Sequence, residues 1–188
     1  MRKLMISLDK KILNKDTIVA RRMIEYGKEN ELFIIIPDRK KIVFDLSPTV
    51  HIQSTGGGNK ITQFIKLFQV GKLAIQQFSN LTPAVEAKGL TAGQAIEQSI
   101  TTQDPFFTGL VGWSLKKKFN LAYRQAGIKL EAQMHGDFFS DYYKKQWLRL
   151  FLAKFVLKRV DVIRVVGERI KQSLIKLGVA ENKIEVRP

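Results

Sequence analysis

The chain runs to 188 residues, 45% of them hydrophobic, which suits one domain with a full core. It holds no cysteine, which excludes disulfides and thiolate metal sites and fits a reducing compartment. Lys and Arg number 32 against 17 Asp and Glu, and a net charge of +15 attracts polyanions: nucleic acid, an anionic bilayer or a phosphorylated substrate.

No run long enough to span a bilayer is free of charge. The opening "MRKLMISLDKK" is too short in its apolar part, and too soon charged, for a secretory signal. Within it, "KLMISL" (3–8) reads as a buried strand. "DTIVARRMIEYGKEN" (16–30) reads as a helix capped at Asp16, with Ile18, Val19, Met23 and Ile24 at helical spacing. "ELFIIIP" (31–37) is β-branched and stops at Pro37, so it reads as a strand; "KKIVFDL" (40–46) and "TVHIQST" (49–55) read as two more. Gly56, Gly57 and Gly58 follow.

"NKITQFIKLFQVGKLAIQQFS" (59–79) is a long helix, with Ile61, Phe64, Ile65, Phe68, Ile75 and Phe78 on one side. Residues 80–97 read as a loop with a short helix. "SITTQ" (99–103) is strand-like, and "DPFFTGLVGWSLKKKFNLAYRQAG" (104–127) opens a helix with Pro105 in its first turn. "KLEAQMHG" (129–136) is a strand and "DYYKKQWLRLFLAKFVLKRV" (141–160) a long helix. "VIRVVG" (162–167) is a strand, "ERIKQSLIKLGV" (168–179) a helix closed by Gly178, and "KIEVRP" (183–188) a last strand. The alternation predicts an α/β fold: a parallel sheet with helices on both faces, joined by right-handed crossovers.

Such sheets bind ligands beyond the carboxyl ends of their strands. Read together, those ends carry Asp9, Lys10 and Lys11; Thr55 and the three glycines; Gln103 and Asp104; His135, Gly136 and Asp137; and Gly167 with Glu168. His135, one of only two histidines, can offer a donor or an acceptor to a hydroxyl or phosphate, and Gly136 lets a ligand come close. His51 falls inside a strand pattern and reads as a packed or surface residue. The glycine triplet lacks the spacing of a dinucleotide fingerprint or a phosphate loop; it reads as a turn, with anion contact near Gly57 the functional alternative. No cluster of metal ligands is visible.

Three segments resemble a known family. "ITTQDPFFTGLVGWSLKKKFNL" (100–121) is similar to a stretch of the family 4 retaining glycosyltransferases that begins T-Q-D-P-F-x-x-G. "EAQMHGDFF" (131–139) resembles the strand that follows it there, and "VDVIRVVGERIKQSLIKLGVAENKIEVRP" (160–188) the pattern before that family's domain crossover. The resemblance implies the GT-B architecture, two Rossmann-like domains facing across a cleft, with residues 1–188 as the single N-terminal, acceptor-binding domain and the C-terminal donor-binding domain absent from this chain. The donor half's E-x7-E motif is not found here.

It also implies sugar transfer from a nucleotide-sugar donor to a saccharide or lipid-linked acceptor, in cell-surface polysaccharide or glycolipid synthesis. His135 matches the histidine that reaches the transferred sugar; Gly136, Asp137, Gln103 and Asp104 match its neighbours at the cleft. The family's glycine pair after the first strand is replaced by "LDKKILNKDT", which leaves Lys10, Lys11 and Gly57 as the candidates for phosphate contact. The resemblance implies no cofactor within this chain and a cytoplasmic site, peripheral on the inner face of a membrane.

Two helices bear on that last expectation. "KKQWLRLFLAKFVLKR" (144–159) intermingles basic and apolar residues round its wheel and reads as a core helix with snorkelling lysines. The 59–79 helix, with Lys60, Lys66 and Lys72 beside an apolar stripe, is a membrane candidate. The alternative use of the charge is a basic α/β nucleic-acid-binding module. It is the weaker reading, because no recognised nucleic-acid signature is present and the aromatics fall at core spacing.

Overall fold

The computed structural model describes residues 1–80, 98–122, 127–135 and 146–187. The segment read as a loop and short helix falls outside them from residue 81 onward, as does the start of the helix expected from 141.

Among the described residues, eight strands form one sheet. They are β1 (Arg2–Ile6), β2 (Glu31–Ile36), β3 (Val43–Ser47), β4 (Val50–Ser54), β5 (Gln98–Thr102), β6 (Lys129–Met134), β7 (Val162–Val165) and β8 (Ile184–Val186). Their order is β3-β4-β2-β1-β5-β6-β7-β8, with every pairing parallel except the β3–β4 hairpin at one edge. The described helices are α1 (Ile18–Gly27), α2 (Lys60–Asn80), α3 (Phe107–Ala122), α4 (Trp147–Leu157) and α5 (Glu168–Lys176).

Apolar sequence explains the centre of the sheet. In β2, Leu32, Ile34 and Ile36 join a cluster on one face while Ile35 joins the cluster on the other. A central parallel strand has no wet side, so an unbroken apolar run is what it requires. In β1, Met5 faces the first cluster, and Leu4 and Ile6 the second.

The two faces are covered unequally. The first cluster is closed by Met23 of α1 and by Ile12 of a 3-10 turn at Lys10–Leu13. The second is the main core, closed by Leu67 and Ile75 of α2, Val111 and Leu115 of α3, Ala153 and Val156 of α4, and Ile170 and Leu174 of α5. At Gly112, α3 lies so close to the sheet that a Cβ would stand 2.7 Å from the Thr102 methyl and 2.9 Å from Leu130.

The helix ends follow their local chemistry. α1 is capped by Thr17, whose hydroxyl accepts from the Ala20 N–H at 3.1 Å, and not by Asp16 as the sequence suggested. Asp16 is held one residue too early, its own N–H donating to Asn14 Oδ1. α5 does stop at Gly178, which takes φ +82° while the Val179 N–H returns to the Leu174 carbonyl.

Two expected apolar stripes are only partly buried. In α2 the packed face centres on Leu67, Gly71 and Ala74; at 3.6 residues per turn Ile61 and Ile65 lie about 100° or more away and stay 73% and 49% exposed. In α4 the buried stripe begins beyond the first turn, leaving Trp147, Leu148 and Phe151 exposed, so the core-helix reading of 144–159 holds only for its later part.

Candidate functional site

Strand order reverses direction at β1: the chain leaves it toward β2 and β4, and later returns on its other side as β5. Between the carboxyl ends of such a pair a crevice opens. Here it is held by one side chain. The Gln103 carboxamide oxygen accepts from the Ser7 hydroxyl at 2.7 Å and from the Leu8 N–H at 3.1 Å. Ser7 Oγ in turn accepts from the Asp9 N–H, and Asp9 Oδ1 accepts from the Lys11 N–H. The loop after β1 is thereby fixed to the end of β5.

From this rim a cleft of about 820 Å³ runs back along the α1 side of the sheet. α1 forms one wall with Val19, Arg22, Met23 and Tyr26. The floor is mostly polar: Lys3 from β1, Thr101 from β5, Gln133 from β6 and Arg164 from β7, with Arg187 beyond β8 and the apolar Met5 of β1 among them. These residues share a face by register, Met5 opposite Thr101 and Gln133 opposite Arg164. No other described helix packs on this part of the sheet.

A ladder of charge crosses the floor. Thr101 Oγ1 donates to Glu131 Oε1 at 3.5 Å, Glu131 Oε2 pairs with Arg164 at 3.0 Å, and Glu185 lies 3.8 Å from Arg164 and 3.0 Å from Arg187. Glu131 is 7% exposed and Thr101 fully buried, so both need these partners. Arg164 Nε on this floor, and Ser99 Oγ on the same sheet face opposite Lys3, are buried without a hydrogen-bond partner.

The expected site residues separate into groups. Gln103 and His135 come together, with Leu8, Asp9 and Val166, at the rim end of the cleft, and His135 is exposed there. Asp104 sits half-buried at the start of α3, where its carboxylate accepts from the Phe106 N–H at 2.7 Å and the Thr108 hydroxyl at 2.8 Å. That is helix capping, and Asp104 does not line the cleft. Gly136 and Asp137 lie outside the described residues.

Lys10, Lys11 and Gly57 are not part of the cleft either. Lys10 Nζ lies 3.0 Å from Asp38 and ties the loop after β1 to the loop after β2. That contact, with the N–H groups of Lys40 and Arg39, holds the Asp38 carboxyl below the usual carboxylate range against a smaller opposing effect of burial. Lys11 is exposed on the 3-10 turn. Gly57, at φ +121°, gives its N–H to the Arg39 carbonyl, so the glycine triplet is a turn whose donor is already engaged. His51 is half-buried, against the Phe33 ring and 2.7 Å from Asp45.

Thr101, Gln133, Arg164 and Arg187 were not singled out from sequence. The available signal was alternation: in "KLEAQM" the polar Glu131 and Gln133 interleave with Leu130, Ala132 and Met134, which marks one uncovered face in a strand expected to be buried on both. Chemically, the cleft offers carboxamides, a hydroxyl, an imidazole and guanidinium groups beside an apolar wall. Directional donors and acceptors against one greasy side suit a polyhydroxylated ligand.

No family model matches the chain, and no curated protein matches it in sequence. Solved structures do match in fold. A UDP-GlcNAc 2-epimerase from Methanocaldococcus jannaschii superposes with a TM-score of 0.56 at 14% identity, covering 99% of this chain and 45% of that one. The apo form of the lipopolysaccharide outer core galactosyltransferase WaaB gives 0.59 at 11% identity, with coverage of 99% and 45%. An α,α-trehalose 6-phosphate synthase from Burkholderia multivorans gives 0.53 at 8% identity, covering 94% and 42%. The chain thus spans less than half the length of these proteins, and its fold is that of one Rossmann-like half of the GT-B architecture.

Proposed function

We propose that this chain is the acceptor-binding half of a retaining glycosyltransferase of family 4, completed by a donor-binding α/β half. The observation that carries the reading is the rim cleft, where Gln103 and His135 meet beside the loop after β1. The fold-level likeness to half of a galactosyltransferase supports it, as do the sequence segments that led to His135.

On this reading residues 1–188 act as one domain. A saccharide or the sugar part of a lipid-linked acceptor lies in the cleft, its hydroxyls meeting Gln103 and Gln133. His135, on the open rim, faces the donor half and bonds a hydroxyl of the sugar being transferred. Its imidazole can donate or accept at neutral pH. No side chain is assigned as a nucleophile. The basic loop residues Lys10 and Lys11 add positive potential at the same rim, where a nucleotide-sugar diphosphate would arrive.

The division of labour has a direct test. In calorimetry, UDP- and GDP-sugars bind the 188-residue chain weakly or not at all, because the donor pocket belongs to the other half. Tight binding of a nucleotide sugar to the chain alone would contradict the half-enzyme reading.

A further inference from the structure

The loops beside the cleft mouth carry more cations than they can pair. Residues 9–16, 37–42 and 55–60 follow the parallel strands β1, β2 and β4, so all three segments stand on the carboxyl rim. Together they hold seven Lys or Arg against three Asp and no Glu. Two of those Asp are already engaged, Asp38 by Lys10 at 3.0 Å and Asp9 by the Lys11 N–H. Among the described residues, Lys11, Arg39, Lys40 and Lys41 have no carboxylate partner.

The loop that presents three of these cations is held by its backbone. The buried Ser54 hydroxyl donates to the Lys40 carbonyl at 2.6 Å and accepts from the Ile42 N–H at 2.7 Å. The Gly57 N–H donates to the Arg39 carbonyl at 3.1 Å, and the Asp38 carboxylate accepts from the N–H groups of Arg39 and Lys40. Arg39, Lys40 and Lys41 are thus fixed in consecutive places while their side chains stay exposed. Like charges on a fixed loop repel one another. An anion in front of them removes that repulsion, and little ordering of the loop is needed to bind it.

Position indicates what carries the anion. Along the sheet the end of β2 stands three strand spacings from the end of β6, about 14 Å. The loop after β1 lies between them, with Asp9 lining the cleft and Lys10 tied to Asp38. A ligand that meets Gln103 and His135 and also reaches Arg39 is therefore longer than one sugar. The three basic segments contain no aromatic residue, so they offer no platform on which a base can stack.

We propose that the loops after β1 and β2 form a subsite for the acidic groups of a glycan, carboxylate or phosphate, with Lys11, Arg39, Lys40 and Lys41 as its cations. The acceptor is then an acidic oligosaccharide and not a neutral one. That its end presents the accepting hydroxyl near His135 rests on the transferase reading above; the anionic subsite does not.

Anisotropy of fluorescently labelled oligosaccharides tests the subsite on the whole chain. The chain binds oligogalacturonate, and binds a neutral maltooligosaccharide of the same length about tenfold or more weakly. Added salt weakens the first interaction and not the second. Arg39→Gln with Lys40→Gln and Lys41→Gln lowers oligogalacturonate affinity about tenfold or more. Lys154→Gln with Lys158→Gln and Lys176→Gln removes the same charge from the helix layer and stays within about twofold of the parent. All six side chains are exposed, so melting temperature changes little in either variant. Poly(glycerol phosphate) in place of oligogalacturonate separates the two acidic groups, the tighter ligand naming the one that the subsite reads.

The readout is binding, with no donor and no turnover. Acidic-glycan binding without sugar transfer would remove the transferase reading and leave the subsite; transfer to neutral acceptors alone would do the reverse. Binding of neither acidic polymer, equal binding of acidic and neutral oligosaccharides, an equal loss in the helix-layer variant, or single-stranded RNA bound more tightly than either acidic glycan through the same three loop residues would each overturn the proposal.

Discussion

On strand β6, Leu130, Ala132 and Met134 are buried in the core beneath the helix layer, while Glu131, Gln133 and His135 turn to the other side, where no described helix covers them. The same strand thus obeys two rules. On the covered face the residues are apolar and fill space to close contact, down to the glycine that lets α3 approach at Gly112. On the open face they are polar, bonded to one another in a ladder, and they leave a cleft. A sheet face left uncovered at the centre of a domain costs apolar burial, and the polar ladder offsets part of that cost; the space it leaves open is where a ligand can sit.

Mutations along this one strand break the comparison apart. Leu130→Ala, on the covered face, removes a fully buried side chain and should cost about 2–5 kcal/mol in denaturant unfolding. Glu131→Ala, one residue along, takes away the close partner of Arg164 and leaves it Glu185 at 3.8 Å; about 1–3 kcal/mol is expected. A Glu131 effect equal to or above that of Leu130 would mean that the ladder, and not the helix layer, holds this half of the sheet.

The rim gives a smaller, pH-dependent effect. The Asp38 carboxyl is held below its ordinary range first by Lys10. A depressed carboxylate stabilises above its unfolded value, about pH 3.9, and loses that contribution as pH falls through its lower folded value. Asp38→Asn should therefore lower stability at pH 6, with the difference from the parent shrinking as the pH drops below about 4. A difference that grew in acid would reverse the assignment. Gln133→Ala is expected to fall within about 0.5 kcal/mol of the parent in stability while weakening saccharide binding, because its amide faces the cleft and not the core.

The covered face was the more legible in sequence. "ELFIII" and "KLMISL" announce strands buried on both sides, and their packing is what such runs dictate. That Gln103 and His135 meet at one rim was legible because strand ends in an alternating βα pattern must gather there. The floor was harder. Thr101 and Arg164 are single polar residues in short strands, and only the register of five neighbouring strands shows that they face the same space. Asp104 misled for a local reason: an Asp just ahead of a helix serves equally as a ligand or as a cap, and here Phe106 and Thr108 take it. Ile61 and Trp147 misled because helical spacing identifies an apolar side without saying where along the helix the sheet ends.

The central proposal is that sugar is transferred at the rim end of the open face, with His135 in contact with it. The measurement is nucleoside-diphosphate release from a panel of UDP- and GDP-sugars by a protein in which this chain is joined to the donor-binding half proposed for it, comparing the parent with His135→Ala. Loss of a positioned imidazole should lower kcat/KM by about 100-fold or more with melting temperature unchanged, since His135 is exposed and supports no core packing. Equal turnover by the parent and His135→Ala would contradict the account.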